Sequence, residues 1–341
     1  MTSSVSSVRA RADVREPDVW IWVPFEVDKK FDGLRVDQFL SCRLGGYSRN
    51  QVQKILTGAR VMKGGRLLRP SSKVHGGEKI EVAYLRRPEA PLDENSSLPV
   101  LYEDGDLLAI NKPANLLSHP TDKIVNHTVL GLLRRLRPEL APVHLLHRLD
   151  RETSGVLVLA KNKTAAQAWT EAMGRRKIQK EYLAFVRGIP SPATGVINHP
   201  IGRENGDIRV RQAVHAPGAK EAMTEYQVLG SFPADEQTVK GVHLSAPFSL
   251  VRARPRTGRM HQIRVHFAAL GHPILGDPLY TGDGAVYRRM TQHVSSGADR
   301  DALGFPRVAL HAFAISFPHP VTRDRLRIEA PLPSDMQTFL P

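Results

Sequence analysis

His147-Arg148-Leu149-Asp150-Arg151-Glu152-Thr153-Ser154-Gly155 runs directly into Val156-Leu157-Val158-Leu159-Ala160. The second half is a short apolar run of strand type. The first half sets Asp150 between Arg148 and Arg151, and the small residues Thr153-Ser154-Gly155 turn the chain into the strand. A carboxylate at such a strand edge, beside a permanent cation, stays ionised and can attack an electrophile.

The 341 residues carry 48 lysines and arginines against 34 acids, a formal net charge of +14. A chain this basic points to a polyanionic partner, nucleic acid first. Its length suggests two domains. Cys42 is the single cysteine, which excludes an internal disulfide and a cysteine-rich zinc site. No apolar run approaches the roughly 20 residues that span a bilayer. The serine-rich start lacks the apolar core of a secretory signal. The expected setting is reducing and cytoplasmic, without a membrane partner.

Residues 1–16 show no periodicity and read as disordered. Residues 17–85 read as a small module. Trp20–Pro24 suits a strand, while Leu34, Val36, Phe39 and Leu40 suit one helix face. Ser48 can cap a second helix bearing Val52, Ile55 and Leu56, which Gly58 ends. Short strands follow at Arg60–Gly65 and Lys79–Tyr84. The proline-, serine- and acid-rich residues 86–99 read as a linker. From residue 100 to 341 strands dominate: Leu107–Ile110, Lys180–Arg187, Thr224–Leu229, Ser249–Arg254 and Leu310–Phe317. Helices are few: one over Thr128–Arg137, one capped by Thr164 with Gln167. No βαβ rhythm appears, so the expected class is α+β on a mixed, largely antiparallel sheet. Residues 282–306 read as a polar surface insertion.

In wording and order, His147–Gly155 resembles the catalytic loop of the RluA-type pseudouridine synthases. These RNA enzymes convert uridine into its C-glycoside isomer. Residues 33–84 resemble the alpha-L (S4-like) RNA-binding module, through Arg35–Leu40, Ser48-Arg49, Ile55–Val61, Ser72–Val74 and Gly77–Ile80. Lys63 stands where that module commonly has Asn. Thr257–His266 resembles the family's third signature, with Met260 in place of the common Thr. Asn111-Lys112-Pro113 resembles another family segment, in which Asn115 replaces a glycine.

The resemblance implies the site. Asp150 takes the catalytic role, Arg264 pairs with it, and Tyr182, two residues after Lys180, stacks on the base or relays a proton. An arginine suits the pairing because it stays charged and can bond both carboxylate oxygens. Ile263, Phe267 and Leu270 give its helix an apolar face that Gly271 ends. A target uridine in folded RNA must be flipped out; Arg148 then holds the nucleotide or fills the gap, and His147 flanks the loop beside the RNA, with a structural part expected of it. Arg49, Lys54, Arg60, Lys63 and Arg259 are expected to meet RNA. Basic clusters at Arg134-Arg135-Arg137, Arg175-Arg176-Lys177 and Arg252-Arg254-Arg256 fit phosphate contacts. Gly276–Tyr280 and Leu310–Ala312 match family text and read as scaffold.

The expected activity is isomerisation of uridine in structured RNA, chiefly large-subunit ribosomal RNA, without metal or organic cofactor and without an obligate protein partner. Transfer RNA is the alternative substrate, and a non-catalytic RNA-binding or assembly factor is the alternative function. A metal hydrolase built on His144, His147 and Asp150 is disfavoured: the context after Gly155 is strand-like, and no HExxH pattern occurs.

Overall fold

The computed structural model describes residues 19–43, 49–57, 60–86, 97–121, 124, 126–233, 238–239, 242–243 and 246–340. The expected disordered start, the Ser48 cap, Gly58 and most of the 86–99 linker lie outside them. The chain divides into two compact units between Pro91 and Leu92.

The first unit contains β1 (Val19–Glu26), α1 (Val36–Arg43), α2 (Arg49–Thr57), β2 (Val61–Lys63), β3 (Arg66–Leu67) and β4 (Lys79–Arg86). Its sheet runs β1-β4-β2-β3. Pro24 is accommodated because β1 is an edge strand, where a missing N–H is harmless. Val36, Phe39 and Leu40 of α1 pack on Val52 and Leu56 of α2 and on Val61, Ile80 and Val82 of the sheet. Leu34 precedes the helix and is only partly buried.

The second unit continues through β5 (Val100–Glu103), β6 (Leu107–Lys112), α3 (Val129–Leu136), β7 (His144–Leu145), β8 (Ser154–Ala160), α4 (Lys163–Gly174), β9 (Gln179–Arg187), β10 (Thr194–Asn198), β11 (Ile201–Arg203), β12 (Gln212–Val214) and β13 (Met223–Phe232). It ends with β14 (Thr238–Val239), β15 (Val242–His243), β16 (Phe248–Pro255), α5 (Gln262–Ala269), α6 (Ala285–Thr291), α7 (Gly297–Leu303), β17 (Leu310–Pro318), β18 (Arg325–Glu329) and α8 (Ser334–Gln337). Ten strands form one sheet in the order β10-β13-β16-β9-β17-β8-β6-β5, with β18 on β17 and β7 on β8. Only β17 and β8 pair in parallel among them, so the sheet is mixed and largely antiparallel. No helix of the described residues is long and apolar enough to cross a membrane.

β8 explains why this sheet sits where it does. All seven of its residues are buried. Leu157 and Leu159 enter one core with Leu108, Ile110, Tyr182 and Phe267, while Val156, Val158 and Ala160 enter another with Trp169 and Phe317. The side-chain period of two thus feeds a core on each face, and an unbroken apolar run results.

Two expectations need correction. The fourth helix begins at Lys163 and is capped by Asn162, whose side chain accepts the Ala165 N–H at 2.9 Å and donates to Asp106 at 2.8 Å. Thr164 therefore lies inside the first turn. Residues 282–306 are no mere surface insertion: α6 and α7 are bridged by an Arg289–Asp299 ion pair, and Leu303 and Phe305 end in the core. The Phe305 ring lies 4.7 Å from that of Phe339.

At the head of β8, Gly155 has φ +110°, and a Cβ there would stand 2.2 Å from the carbonyl oxygen of Ala312 on β17. Only glycine permits this approach. Gly155→Ala should lower stability by about 2 kcal/mol or more, read from urea unfolding; an unchanged midpoint would contradict this packing.

Candidate active site

A cleft of about 480 Å³ opens in the second unit. Its walls are the loop Leu146–Asp150 with Thr153, the Lys180 and Tyr182 side chains of β9, and Pro255 at the end of β16. Thr257–Arg264 and Leu310 complete it. Among the described residues that line it, Asp150 is the one that bears a carboxylate.

The loop that carries Asp150 is held by its backbone. Ser118 Oγ accepts the Leu149 N–H at 3.2 Å and donates to the Leu149 carbonyl at 2.9 Å. The Thr153 N–H closes a turn onto the Asp150 carbonyl. Lys112, wholly buried at the end of β6, donates through Nζ to the carbonyls of Pro113, Leu116 and Arg151 at 2.8, 2.7 and 3.1 Å. Three acceptors match the three N–H bonds of an ammonium. Burial draws Lys112 down to about 7, against the opposing fields of Glu152 and Asp150. Asn115 occupies the left-handed region at φ 64°, so asparagine does the work of the glycine usual there, and its carbonyl accepts from Arg151 at 3.4 Å.

Arg264 lies on α5, where Gln262 through Phe267 are all buried. The polar members of this stretch are individually bonded. Gln262 donates to the Met223 carbonyl and Thr224 Oγ1, and accepts from Thr257 and from the Arg259 N–H. His266 bonds Thr224 Oγ1 and the His199 carbonyl. The expected apolar stripe is therefore incomplete: Ile263 and Phe267 are buried, but Leu270 is 38% exposed at the helix end.

The guanidinium itself departs from expectation. Its paired hydrogen bonds go to Asp277: Nε at 2.6 Å from Oδ2 and Nη2 at 2.8 Å from Oδ1. Nη1 remains for Asp150 Oδ2 at 3.5 Å and Glu152 Oε2 at 3.8 Å. The reason is accessibility. Asp277 is fully buried and further accepts the N–H groups of Leu279 and Tyr280, whereas Asp150 faces the cleft. Burial alone would lower the arginine, but the charge and hydrogen bonds of Asp277, with Asp150 and Glu152, raise it instead. The Tyr280 ring lies 5.3 Å from the guanidinium carbon, a cation–π contact. The segment read as scaffold, Gly276–Tyr280, is thus part of the site.

Tyr182 is 9% exposed and lines the cleft beside Asp150. Burial, then the Asp150 charge, push its hydroxyl upward, so it stays protonated through neutral pH. Lys180 also lines the cleft, and burial lowers its ammonium. His147 contributes more to the fold than to the pocket. Its Nε2 accepts the Val158 N–H at 3.2 Å, its ring stacks on Trp169, and burial and Lys180 hold it well below its usual range. Arg148 is exposed on the cleft. Arg259 lines it too, with its Nε on the Glu221 carbonyl at 2.9 Å.

The remaining expected RNA contacts lie in the first unit. The side chains of Arg49 and Lys54 are outside the described residues. Arg60 is half-buried, and Lys63 is engaged by Glu78. Of the basic clusters, Arg137 binds Glu103 and Glu139, Arg252 and Arg254 meet Glu181, and Arg256 meets Glu225. Arg175, Arg176 and Lys177 are exposed.

Sequence reading missed Lys112, Ser118, Gln262 and Asp277 as site builders. The available signal was that Lys112 and Asp277 stand inside recognisable text. Asp277→Asn should lower stability by about 3–5 kcal/mol, since it leaves the buried guanidinium without its main counter-charge. Chemical denaturation tests this, and an unchanged midpoint would show that Asp150 and Glu152 suffice.

A family model described as RNA pseudouridylate synthase matches residues 106–269. The ribosomal large subunit pseudouridine synthase D of Vibrio parahaemolyticus is 35% identical over 309 residues, spanning 89% of this chain and 89% of that protein. The protein of the same name from Blochmanniella floridana is 33% identical over 323 residues, spanning 92% and 95%. The solved structure of human RNA pseudouridylate synthase domain containing 1 has a TM-score of 0.54 and 28% identity, covering 70% of this chain and 86% of its own. The matched stretch contains the Asp150 loop, Tyr182 and Arg264 around one cleft. With relatives this similar along nine-tenths of its length, the chain belongs to the RNA pseudouridylate synthase family.

Proposed function

We propose that this protein isomerises uridine to pseudouridine in large-subunit ribosomal RNA, with Asp150 as the reacting carboxylate. The observation that carries the reading is a single cleft-facing carboxylate, 3.5 Å from a buried guanidinium that a second acid holds in place. Glu152 is farther from the same guanidinium and does not line the cleft. A hydrolytic glycosidase uses two carboxylates across the bond; one suffices when the base is detached and rejoined without water.

The reaction breaks the N1–C1′ bond, turns the uracil, and forms a C5–C1′ bond. The C5 proton leaves to solvent and N1 gains one, so nothing is oxidised or reduced. Asp150 supplies the nucleophile or base. Tyr182, kept as a phenol, serves by its ring face and hydroxyl rather than as a phenolate base. Arg264 fixes and charge-balances Asp150. Arg148 and Arg259, at the cleft, suit the flanking phosphates of a flipped nucleotide. The names of the relatives favour ribosomal over transfer RNA, and such a substrate fits a cytoplasmic setting. The intact Asp150–Tyr182–Arg264 grouping favours catalysis over a purely binding role.

Asp150→Asn should fold and bind RNA as the parent does, yet release no tritium from RNA labelled at uridine C5. Release at the parent rate would remove Asp150 from the chemistry. We further infer that residues 17–85 form the RNA-binding module. Deleting residues 1–91 should weaken affinity about tenfold or more at roughly 150 mM salt and flatten its salt dependence. An unchanged salt slope would assign the phosphate contacts to the second unit.

A further inference from the structure

His261 occupies the residue before α5 with φ 55° and ψ 20°, in the left-handed region, and offers the helix no side-chain cap. A non-glycine residue there is uncommon and invites a functional explanation. Its Nδ1 lies 2.9 Å from the hydroxyl of Tyr280, which also accepts the Gln212 N–H at 3.0 Å. Among the described residues the phenolic proton meets no other acceptor, so Tyr280 donates to Nδ1. The imidazole proton is thereby confined to Nε2. No protein acceptor among the described residues meets Nε2, and His261 lines the cleft. Burial, then Arg264, hold the ring below its ordinary range, so it is a neutral donor at pH 7. Asp150, Glu152 and Asp277 are the other charged groups that act on it.

We propose that His261 donates through Nε2–H to a carbonyl oxygen of the flipped uracil, and that Tyr280 fixes the tautomer that lets it do so. This rests on the isomerisation reading above. When the N1–C1′ bond breaks, its electron pair passes to the uracil ring, and negative charge grows on the ring carbonyls. A neutral donor already oriented at that oxygen gains strength as the charge develops, so its contribution falls on turnover more than on binding. Arg148 and Arg259, being cationic and exposed, suit phosphate instead.

The test is steady-state pseudouridine formation on an unmodified large-subunit ribosomal RNA transcript. It compares the parent chain, His261→Gly and His261→Gln. Glycine accepts the left-handed backbone without strain, so the first variant isolates the side chain; thermal unfolding of both variants confirms folding. The expected result is a kcat lowered about ten- to a hundredfold in His261→Gly with KM nearly unchanged, and partial recovery by added imidazole or by the amide donor of glutamine. A kcat within twofold of the parent overturns the proposal. So does a loss confined to KM, or one that neither imidazole nor glutamine relieves. A parent chain that forms no pseudouridine overturns the functional reading itself, and this assignment with it.

Discussion

A guanidinium buried beneath the cleft floor organises this site. Taking a cation out of water is costly unless a counter-charge and hydrogen bonds accompany it. Asp277 supplies both through a two-pronged bond that matches the planar fork of Arg264. That pairing uses Nε and Nη2 and leaves Nη1 directed at Asp150. The cleft-facing carboxylate of Asp150 thus meets a cation whose position is already fixed by another acid. An ion pair at this cleft with no such support would be free to collapse into a closed salt bridge. Here Asp150 keeps a looser contact and an open face.

Three separate stretches of chain must agree for this to hold. The Asp150 loop is pinned through backbone atoms by Ser118 and Lys112. Helix α5 is pinned by Gln262 and His266 onto β13. The Gly276–Tyr280 turn is pinned by Asp277, and Gly276 meets the Arg307 carbonyl so closely that a Cβ would stand 1.6 Å away. Each contact involves a buried polar group that would be expensive to leave unpaired. The network therefore specifies one geometry rather than merely adding stability.

Much of the fold was legible because it rests on local pattern. The Val156–Ala160 run, the strand over Lys180–Arg187 and the Thr128 helix start were readable from neighbours in sequence, and each emerged within a few residues of its expected span, although Tyr182 through Val186 are buried without the expected alternation. Asp150, Tyr182 and Arg264 were legible only through resemblance, and the cleft brings them together. What escaped was partnership across space. Asp277 reads as an ordinary turn acid until folding buries it against Arg264. Lys63 reads as a phosphate contact until Glu78 is seen beside it. That His147 has a structural part was readable, but its partners Val158 and Trp169 were not. A burial pattern can be inferred from periodicity; the identity of a polar partner 13 or 157 residues away cannot, as Arg264–Asp277 and Ser154–His311 illustrate.

The central claim is that one carboxylate meets a flipped nucleoside while Arg264 stays anchored to Asp277. A crystal structure of the protein with RNA carrying 5-fluorouridine at the target position tests this directly. The account predicts the fluorinated base inside the cleft, an Asp150 oxygen bonded to or in contact with the base or its sugar, and Arg264 still paired with Asp277. A base bound elsewhere, or Arg264 swung from Asp277 onto a phosphate, would contradict it.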